Sequence, residues 1–168
     1  NCIKKCKNAG LIGSRLRNKK NKITHAGILF NLFNSPYHRL EGLVNSEHII
    51  LTKNTEKMTA VTGALILVPR NIITQVKLNE NYNVCGEDVE LCLDIKQKLN
   101  KDIIYSPWFS GIHEAESTRR KIKYQLKNKS DKIRLIKRYK SFLSNISIDS
   151  LYAEYNLNKR LIKSMIEY

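Results

Sequence analysis

Residues 86–99 have the sequence GEDVELCLDIKQKL, and this stretch carries the clearest structural pattern in the chain of 168 residues. Apolar side chains recur in it at intervals of three and four positions, the spacing that lines one face of an α-helix. The sequence therefore predicts a helix here, with Asp94, Lys96 and Lys98 pointing outward. The apolar positions of its inner face are Leu91, Cys92, Ile95 and Leu99.

Segments of strand character flank this helix. Residues 60–68, AVTGALILV, are nearly all apolar and predict a strand that is buried on both faces and ends at Pro69. Residues 102–106 predict a short strand that ends at Pro107. Because strands and helices alternate along the chain, we expect a layered α/β fold. Further strands are predicted at residues 10–16 and 23–31.

Charge divides the chain into two parts. Residues 119–168 carry 14 basic and 4 acidic side chains, a net charge of +10, whereas residues 1–118 carry 16 and 11, a net charge of +5. We therefore predict an α/β unit over residues 1–118 and a helical, basic C-terminal extension over residues 119–168. The helical pattern of the extension is predicted to break around residues 145–149, where Ser147 or Asp149 can cap the last helix.

The basic segment of residues 119–140 predicts a helix with an imperfect apolar stripe. Three interpretations are open: a solvated helix face, a surface attracted to anionic lipid headgroups, and a contact for nucleic acid. Aromatic residues make up 8% of the chain and do not alternate with basic ones, so a stacking surface for nucleic acid is not expected. The stripe consists of Ile122, Leu126, Ile133, Ile136 and Tyr139.

Composition excludes several classes of protein. No apolar run approaches the roughly 18–20 residues that a membrane-spanning helix needs. The chain begins with Asn1 and shows no apolar secretory core, so we interpret it as an internal piece of a longer protein. Its four cysteines are too few and too scattered for a secreted disulfide framework, which favours a reducing, cytoplasmic compartment.

Three acidic residues, Glu87, Asp88 and Glu90, lie at the start of the helix of residues 86–99. Acidic side chains in a first turn are favoured by the helix dipole and often have no further role. Asp88, however, precedes Leu91 and Cys92 by three and four positions, so it lies on the edge that faces the core. A carboxylate aimed inward at a helix start suits a general base beside a cleft, and both interpretations stay open.

Two other positions are candidates for ligand binding or catalysis. Gly63, between Thr62 and Ala64, is a glycine inside an apolar segment, which indicates either the close approach of a ligand or backbone, or a bulge. His113 follows the strand of residues 102–106 and is interpreted either as a polar loop residue or as a metal or catalytic ligand.

The order of these segments resembles a known family. Over about residues 10–120, they are similar to the C-terminal half of family 2 glycosyltransferases, nearest to the rhamnosyltransferase-like branch of bacterial cell-surface polysaccharide enzymes. The segments are LIGSRL at 11–16, ITHAG at 23–27, AVTGALIL at 60–67, GEDVELCL at 86–93, YSP at 105–107 and HEAESTR at 113–119.

The resemblance implies the C-terminal part of a GT-A fold, a Rossmann-like α/β sandwich that transfers a sugar from a nucleotide diphosphate donor with inversion. It implies that Asp88 is the catalytic base and that Glu87 lies beside it in the acceptor region. His113 takes the place of a histidine that helps hold a divalent metal, Mn²⁺ or Mg²⁺, on the donor diphosphate. The implied lining of the sugar cleft is Thr62, Gly63 and Ala64.

The resemblance also implies that the nucleotide-binding half, with an Asp-x-Asp motif, precedes residue 1 and holds most of the metal. We therefore expect this chain alone to bind nucleotide and metal weakly or not at all. The implied partners are a nucleotide sugar and a saccharide or lipid-linked acceptor. The basic C-terminal segment separately suggests a cytoplasmic protein attached peripherally to the inner face of an anionic membrane. The alternatives are a basic, non-catalytic module that binds nucleic acid or a membrane surface, and a decayed transferase scaffold.

Overall fold

The computed structural model describes residues 6–114 and 122–166. The strands in these ranges are β1 (Ala9–Arg17), β2 (Ile23–His25), β3 (Ile28–Phe30), β4 (Pro36–His38), β5 (Glu56–Met58), β6 (Ile66–Leu67) and β7 (Asp102–Ile112). The helices are α1 (Ile49–Thr52), α2 (Arg70–Ile73), α3 (Glu87–Leu99), α4 (Ile122–Arg138) and α5 (Lys140–Ile166).

A mixed sheet forms the centre of the fold. β1 and β7 are parallel neighbours, β2 and β6 pair antiparallel with β1, and β5 pairs antiparallel with β7. β3 and β4 form a separate antiparallel pair. The expected α/β class is confirmed, as a mixed sheet with one parallel pair and a long C-terminal helix.

The predicted helix of residues 86–99 is confirmed as α3, and its inner face is buried against β1 and β7. Leu91, Cys92 and Ile95 are fully buried. The outward orientation predicted for Asp94 is wrong, because α4 covers that side of α3. The Asp94 side chain is buried and accepts hydrogen bonds from Tyr139, Arg138 and Lys98.

The buried strand predicted at residues 60–68 is wrong. β6 is the strand in this segment, while Gly63 and Ala64 form an exposed turn. Two amides that a strand would pair with its neighbours instead bond to side chains: Thr62 N–H donates to His25, and Gly63 N–H donates to Asp88. Apolar composition alone therefore overestimated the burial of this segment.

Two strand boundaries also differ from the prediction. β7 continues past Pro107. Its register with β1 passes directly from Ser106, opposite Ser14, to Ser110, opposite Arg15, so Pro107, which lacks an N–H, lies in an irregularity of three residues that have no partner in this register. The single strand predicted at residues 23–31 is divided into β2 and β3 at Gly27. The φ of Gly27 is +113°, a value that glycine adopts much more readily than other residues.

The C-terminal helices join the main core through Leu135, Tyr139, Leu143, Ile146 and Leu157. The chain breaks between α4 and α5 at residue 139, and the break predicted around residues 145–149 is wrong. The polar residues there bond to other elements: Ser147 Oγ donates to Asn34, and Ser150 Oγ accepts from Phe30 N–H.

The apolar stripe predicted for the basic segment lies partly elsewhere. Leu135 and Tyr139 are buried, whereas Ile133 is 45% exposed. The predicted division at residues 118/119, the start of the segment at residue 119 and the side chains of Ile122 and Leu126 lie outside the described residues. In the described part of the chain, no helix is both long and apolar enough to cross a membrane.

Candidate functional site

Asp88 is held at the start of α3 by backbone donors. Its Oδ2 accepts the Gly63 N–H at 2.8 Å, and its Oδ1 accepts the Val89 N–H at 2.8 Å. Gly86, which precedes the helix, has a φ of +108° that turns the chain into α3. The carboxylate therefore has a fixed orientation while it remains half-exposed.

A small cavity of about 60 Å³ adjoins Asp88. It lies where α3 meets β4 and α4, and it combines apolar walls with polar groups of several kinds. One of these, the Tyr37 hydroxyl, donates to Glu154 at 2.8 Å. Desolvation and this hydrogen bond raise the pKa of Tyr37 well above its usual value, so it remains protonated. The polar lining includes Asp88, Tyr37, His38, Cys85 and Lys132.

The structure does not bring Glu87 into the Asp88 cavity. Glu87 lines a separate, open hollow together with Tyr82 and Asn83. Consecutive helical residues point about 100° apart, which separates the two carboxylates although they are neighbours in sequence. Asp88 and Glu87 therefore face different surroundings.

Glu90, the third acidic residue of the first turn, belongs to a structural network. It is 3% exposed and accepts hydrogen bonds from Asn79 and Tyr82. It also pairs with Arg138 at 2.7 Å. Burial and the Glu90 hydrogen bond raise the pKa of Tyr82. Glu90 therefore joins α3 to its neighbours and does not face the cavity.

Of the three residues expected to line the sugar cleft, Gly63 contacts Asp88, and none of the three lines the cavity beside it. A Cβ added to Gly63 would lie 3.1 Å from the Asp88 Cβ, so the turn packs tightly against the start of α3. The Thr62 N–H points to His25 Nε2 at 3.3 Å. Ala64 is exposed in the turn.

His113 lies directly after β7, and its side chain is exposed. Its N–H donates to Arg17 O at 2.8 Å, and its carbonyl accepts from the Thr24 hydroxyl at 3.3 Å. The structure does not bring His113 into the cavity beside Asp88. The link between the two is indirect and passes through β2 and the loop that holds Gly63. Residues 6–114 and 122–166 contain no group of three or more His, Cys, Asp or Glu arranged to hold a metal.

The sequence offered little reason to select His25 and His38. The structure places them between His113 and Asp88. His25 is 1% exposed, and its Nδ1 lies 2.8 Å from His38 Nδ1. Desolvation, and then the charges of His38, Arg39 and His113, hold the pKa of His25 well below its ordinary value. The available sequence signal was the position of His25 in an otherwise apolar strand; nothing indicated the pairing with His38.

Comparisons with protein-family models, with curated proteins and with solved structures find no match to this chain. The functional interpretation therefore depends on the sequence motifs and on the geometry around Asp88.

Proposed function

We propose that this chain is the acceptor-side part of an inverting family 2 glycosyltransferase with a GT-A fold, in which Asp88 is the general base. The observation that carries the proposal is the Asp88 carboxylate, which is fixed by the Gly63 amide at a helix start and lines a cavity. Its position agrees with the role that the sequence motif implies for this residue.

In the proposed reaction, an acceptor hydroxyl transfers its proton to Asp88 as the oxygen attacks the anomeric carbon of the donor. The bond from that carbon to the nucleoside diphosphate breaks, and the diphosphate leaves with the electron pair. The hydrogen bond from Gly63 fixes the orientation of the carboxylate that would accept this proton.

A divalent metal on the donor diphosphate would stabilise the charge of the leaving group. His113 is the described residue that we assign to this metal, because its imidazole is exposed at the end of β7. A single imidazole is an incomplete ligand set, so the proposal requires further ligands from other parts of the enzyme.

The test replaces Asp88 with Asn in the longest natural protein that contains this chain. The assay measures the release of nucleoside diphosphate. We expect a fall in turnover of roughly 10²–10⁴-fold with the donor affinity unchanged, because the amide cannot take the proton. Asp149→Asn, at an exposed position of α5, is the matched control and should retain activity. Near-normal turnover of Asp88→Asn would contradict the role of base.

Two further outcomes are informative. We expect calorimetry of this chain alone with a nucleotide sugar and Mn²⁺ to show weak binding or none, and micromolar affinity would contradict the proposed location of the donor site. Failure of the unmodified protein to transfer any sugar from a panel of donors would favour the decayed scaffold instead.

We also propose that the exposed basic side chains of α4 contact an anionic membrane surface, where a lipid-linked acceptor would be available. α4 carries seven Lys or Arg residues and one Asp. Lys127, Lys129 and Lys137 on this helix are exposed. Basic residues near such a surface contribute about 1 kcal/mol each to binding.

A further inference from the structure

The hydrogen-bond contacts of His25 and His38 determine which ring nitrogens carry protons. A backbone N–H can only donate, so the Thr62 amide requires an unprotonated Nε2 on His25. Neutral His25 then carries its proton on Nδ1. Because Nδ1 of His25 and Nδ1 of His38 are 2.8 Å apart, that proton lies between them and His38 Nδ1 is the acceptor.

The surroundings of His25 favour this neutral form. The side chain is buried, and the charged or titratable groups that act on it are His38, Arg39 and His113. A second proton on His25 would place an N–H directly against the Thr62 N–H. Protonation would therefore break the contact between the imidazole and the loop.

The Thr62 and Gly63 amides connect this pair to Asp88. Val61, before them, is fixed in the core, where it packs against Gly13 and its carbonyl accepts from Cys92. Beyond Val61 the loop becomes exposed. There the Thr62 amide is held by His25 and the next amide, Gly63, is held by Asp88. Adjacent peptide groups are covalently coupled, so displacement of the first moves the second.

We infer that His25 is a positioning residue, whose unprotonated Nε2 holds the Thr62 amide and thereby places the Gly63 amide on Asp88. His25 acts through the loop and does not touch the reacting atoms. The catalytic consequence of this inference rests on the proposed function, whereas the hydrogen-bond arrangement can be measured in the chain alone.

The first test needs no substitution. Imidazole nitrogen NMR of the ¹⁵N-labelled chain at neutral pH should show a pyrrole-type Nδ1 and a pyridine-type Nε2 for His25, and a pyridine-type Nδ1 for His38. A proton on Nε2 of His25 would overturn the inference, since the Thr62 amide would then have no acceptor.

The second test compares two variants of His25. His25→Gln retains an oxygen that can accept from Thr62, whereas His25→Phe removes the acceptor. We expect hydrogen exchange at the Gly63 amide to be about tenfold faster in His25→Phe and close to the original rate in His25→Gln. His48→Gln controls for the loss of an imidazole elsewhere, and circular dichroism verifies that each variant is folded. Unchanged exchange in folded His25→Phe would overturn the inference.

The third test uses the transferase assay. In His25→Phe we expect kcat to fall about tenfold, equivalent to 1.4 kcal/mol in the barrier, with KM for the donor within about twofold. His25→Gln should restore most of the turnover. Full activity of folded His25→Phe would contradict the positioning role. If the unmodified protein transfers no sugar, the proposed function fails, while the NMR and exchange results still decide the hydrogen-bond arrangement.

Discussion

At the residue scale, backbone N–H groups hold two carboxylates of this chain in place, those of Asp88 and Asp131. Asp131 is 1% exposed and accepts from the amides of Asn83, Val84 and Cys85. Burial acts to raise the pKa of Asp131, but the amide donors outweigh it and leave this pKa below its ordinary value. At a pH above the pKa of an unfolded aspartate, the ionised Asp131 stabilises the loop before α3. This stabilisation is lost as the pH falls through the lower pKa that Asp131 has in the folded protein.

Gly27 provides a prediction at this scale. A side chain at residue 27 would overlap the Met58 methyl group and would also require a φ of +113°. Gly42 has a φ of +72° with open space around it, so Gly42→Ala isolates the backbone cost. We expect a loss of about 1 kcal/mol in unfolding free energy for Gly42→Ala and about 3 kcal/mol for Gly27→Ala.

Urea denaturation monitored by circular dichroism measures both losses. Equal losses in the two variants would show that Met58 yields without cost. They would contradict the close packing of Gly27.

Helical spacing predicted that Asp88 lies on the edge of α3 that faces the core, because Leu91 and Cys92 follow it by three and four positions; in the structure its side chain is half-exposed. It could not identify the donor to that carboxylate. Gly63 is 25 positions away, and the contact depends on the path of an irregular loop. The same limit applies to His25 and His38, whose pairing depends on the turn at Gly27.

At the element scale, a buried charge network joins α3 to α4. Glu90 and Asp94, one turn apart on α3, both pair with Arg138 near the end of α4. Lys98 pairs with Asp94 from the exposed side at 2.8 Å. Two nearly buried carboxylates therefore share a cation that is itself 42% exposed.

We expect Arg138→Ala to lower the unfolding free energy by about 1.5 kcal/mol, because it leaves the buried Glu90 carboxylate without its cation. Solvent screens the partly exposed guanidinium, which keeps the loss below that of a fully buried pair. Lys137→Ala, at the preceding exposed position of α4, is the control and should change it by less than about 0.5 kcal/mol. Chemical denaturation compares the two. A similar, small effect of both substitutions would mean that the network does not stabilise the helix pair.

Elements with a regular pattern were predictable, and the reason is local. α3 has a side-chain periodicity that matches its burial, and β1 contains the apolar run that predicted a strand at residues 10–16; both were confirmed. Residues 60–68 are as apolar as a buried strand, yet their amides bond to side chains of other elements. A break was predicted within α5 at polar residues 145–149, one of which, Ser147, instead bonds to Asn34, 113 positions away.

At the scale of the whole molecule, the net charge of +15 is concentrated toward the C-terminal helices. α4 and α5 present exposed lysines as well as exposed apolar side chains, among them Tyr152, Tyr155 and Ile162. This combination suits an anionic lipid surface, which binds both kinds of group.

We expect the chain to sediment with vesicles of phosphatidylcholine and phosphatidylserine but not with phosphatidylcholine alone, because the attraction is electrostatic. Replacing Lys127, Lys129 and Lys137 with Gln should weaken sedimentation. The control replaces three exposed lysines of the α/β unit, Lys20, Lys53 and Lys77, and so leaves the same net charge.

Equal weakening by the two sets of substitutions would indicate a nonspecific charge effect. Binding that does not depend on phosphatidylserine would contradict the proposed surface.

The parallel pair at the centre of the sheet affects how the protein is made. Leu11 of β1 pairs with Ile103 of β7, 92 positions later. During synthesis, β1 leaves the ribosome long before β7, so the edge of β1 that pairs with β7 has no partner until β7 emerges. The central sheet can therefore close only after β7 has emerged, and a chaperone that shields β1 in that interval would be expected to raise the yield of folded protein.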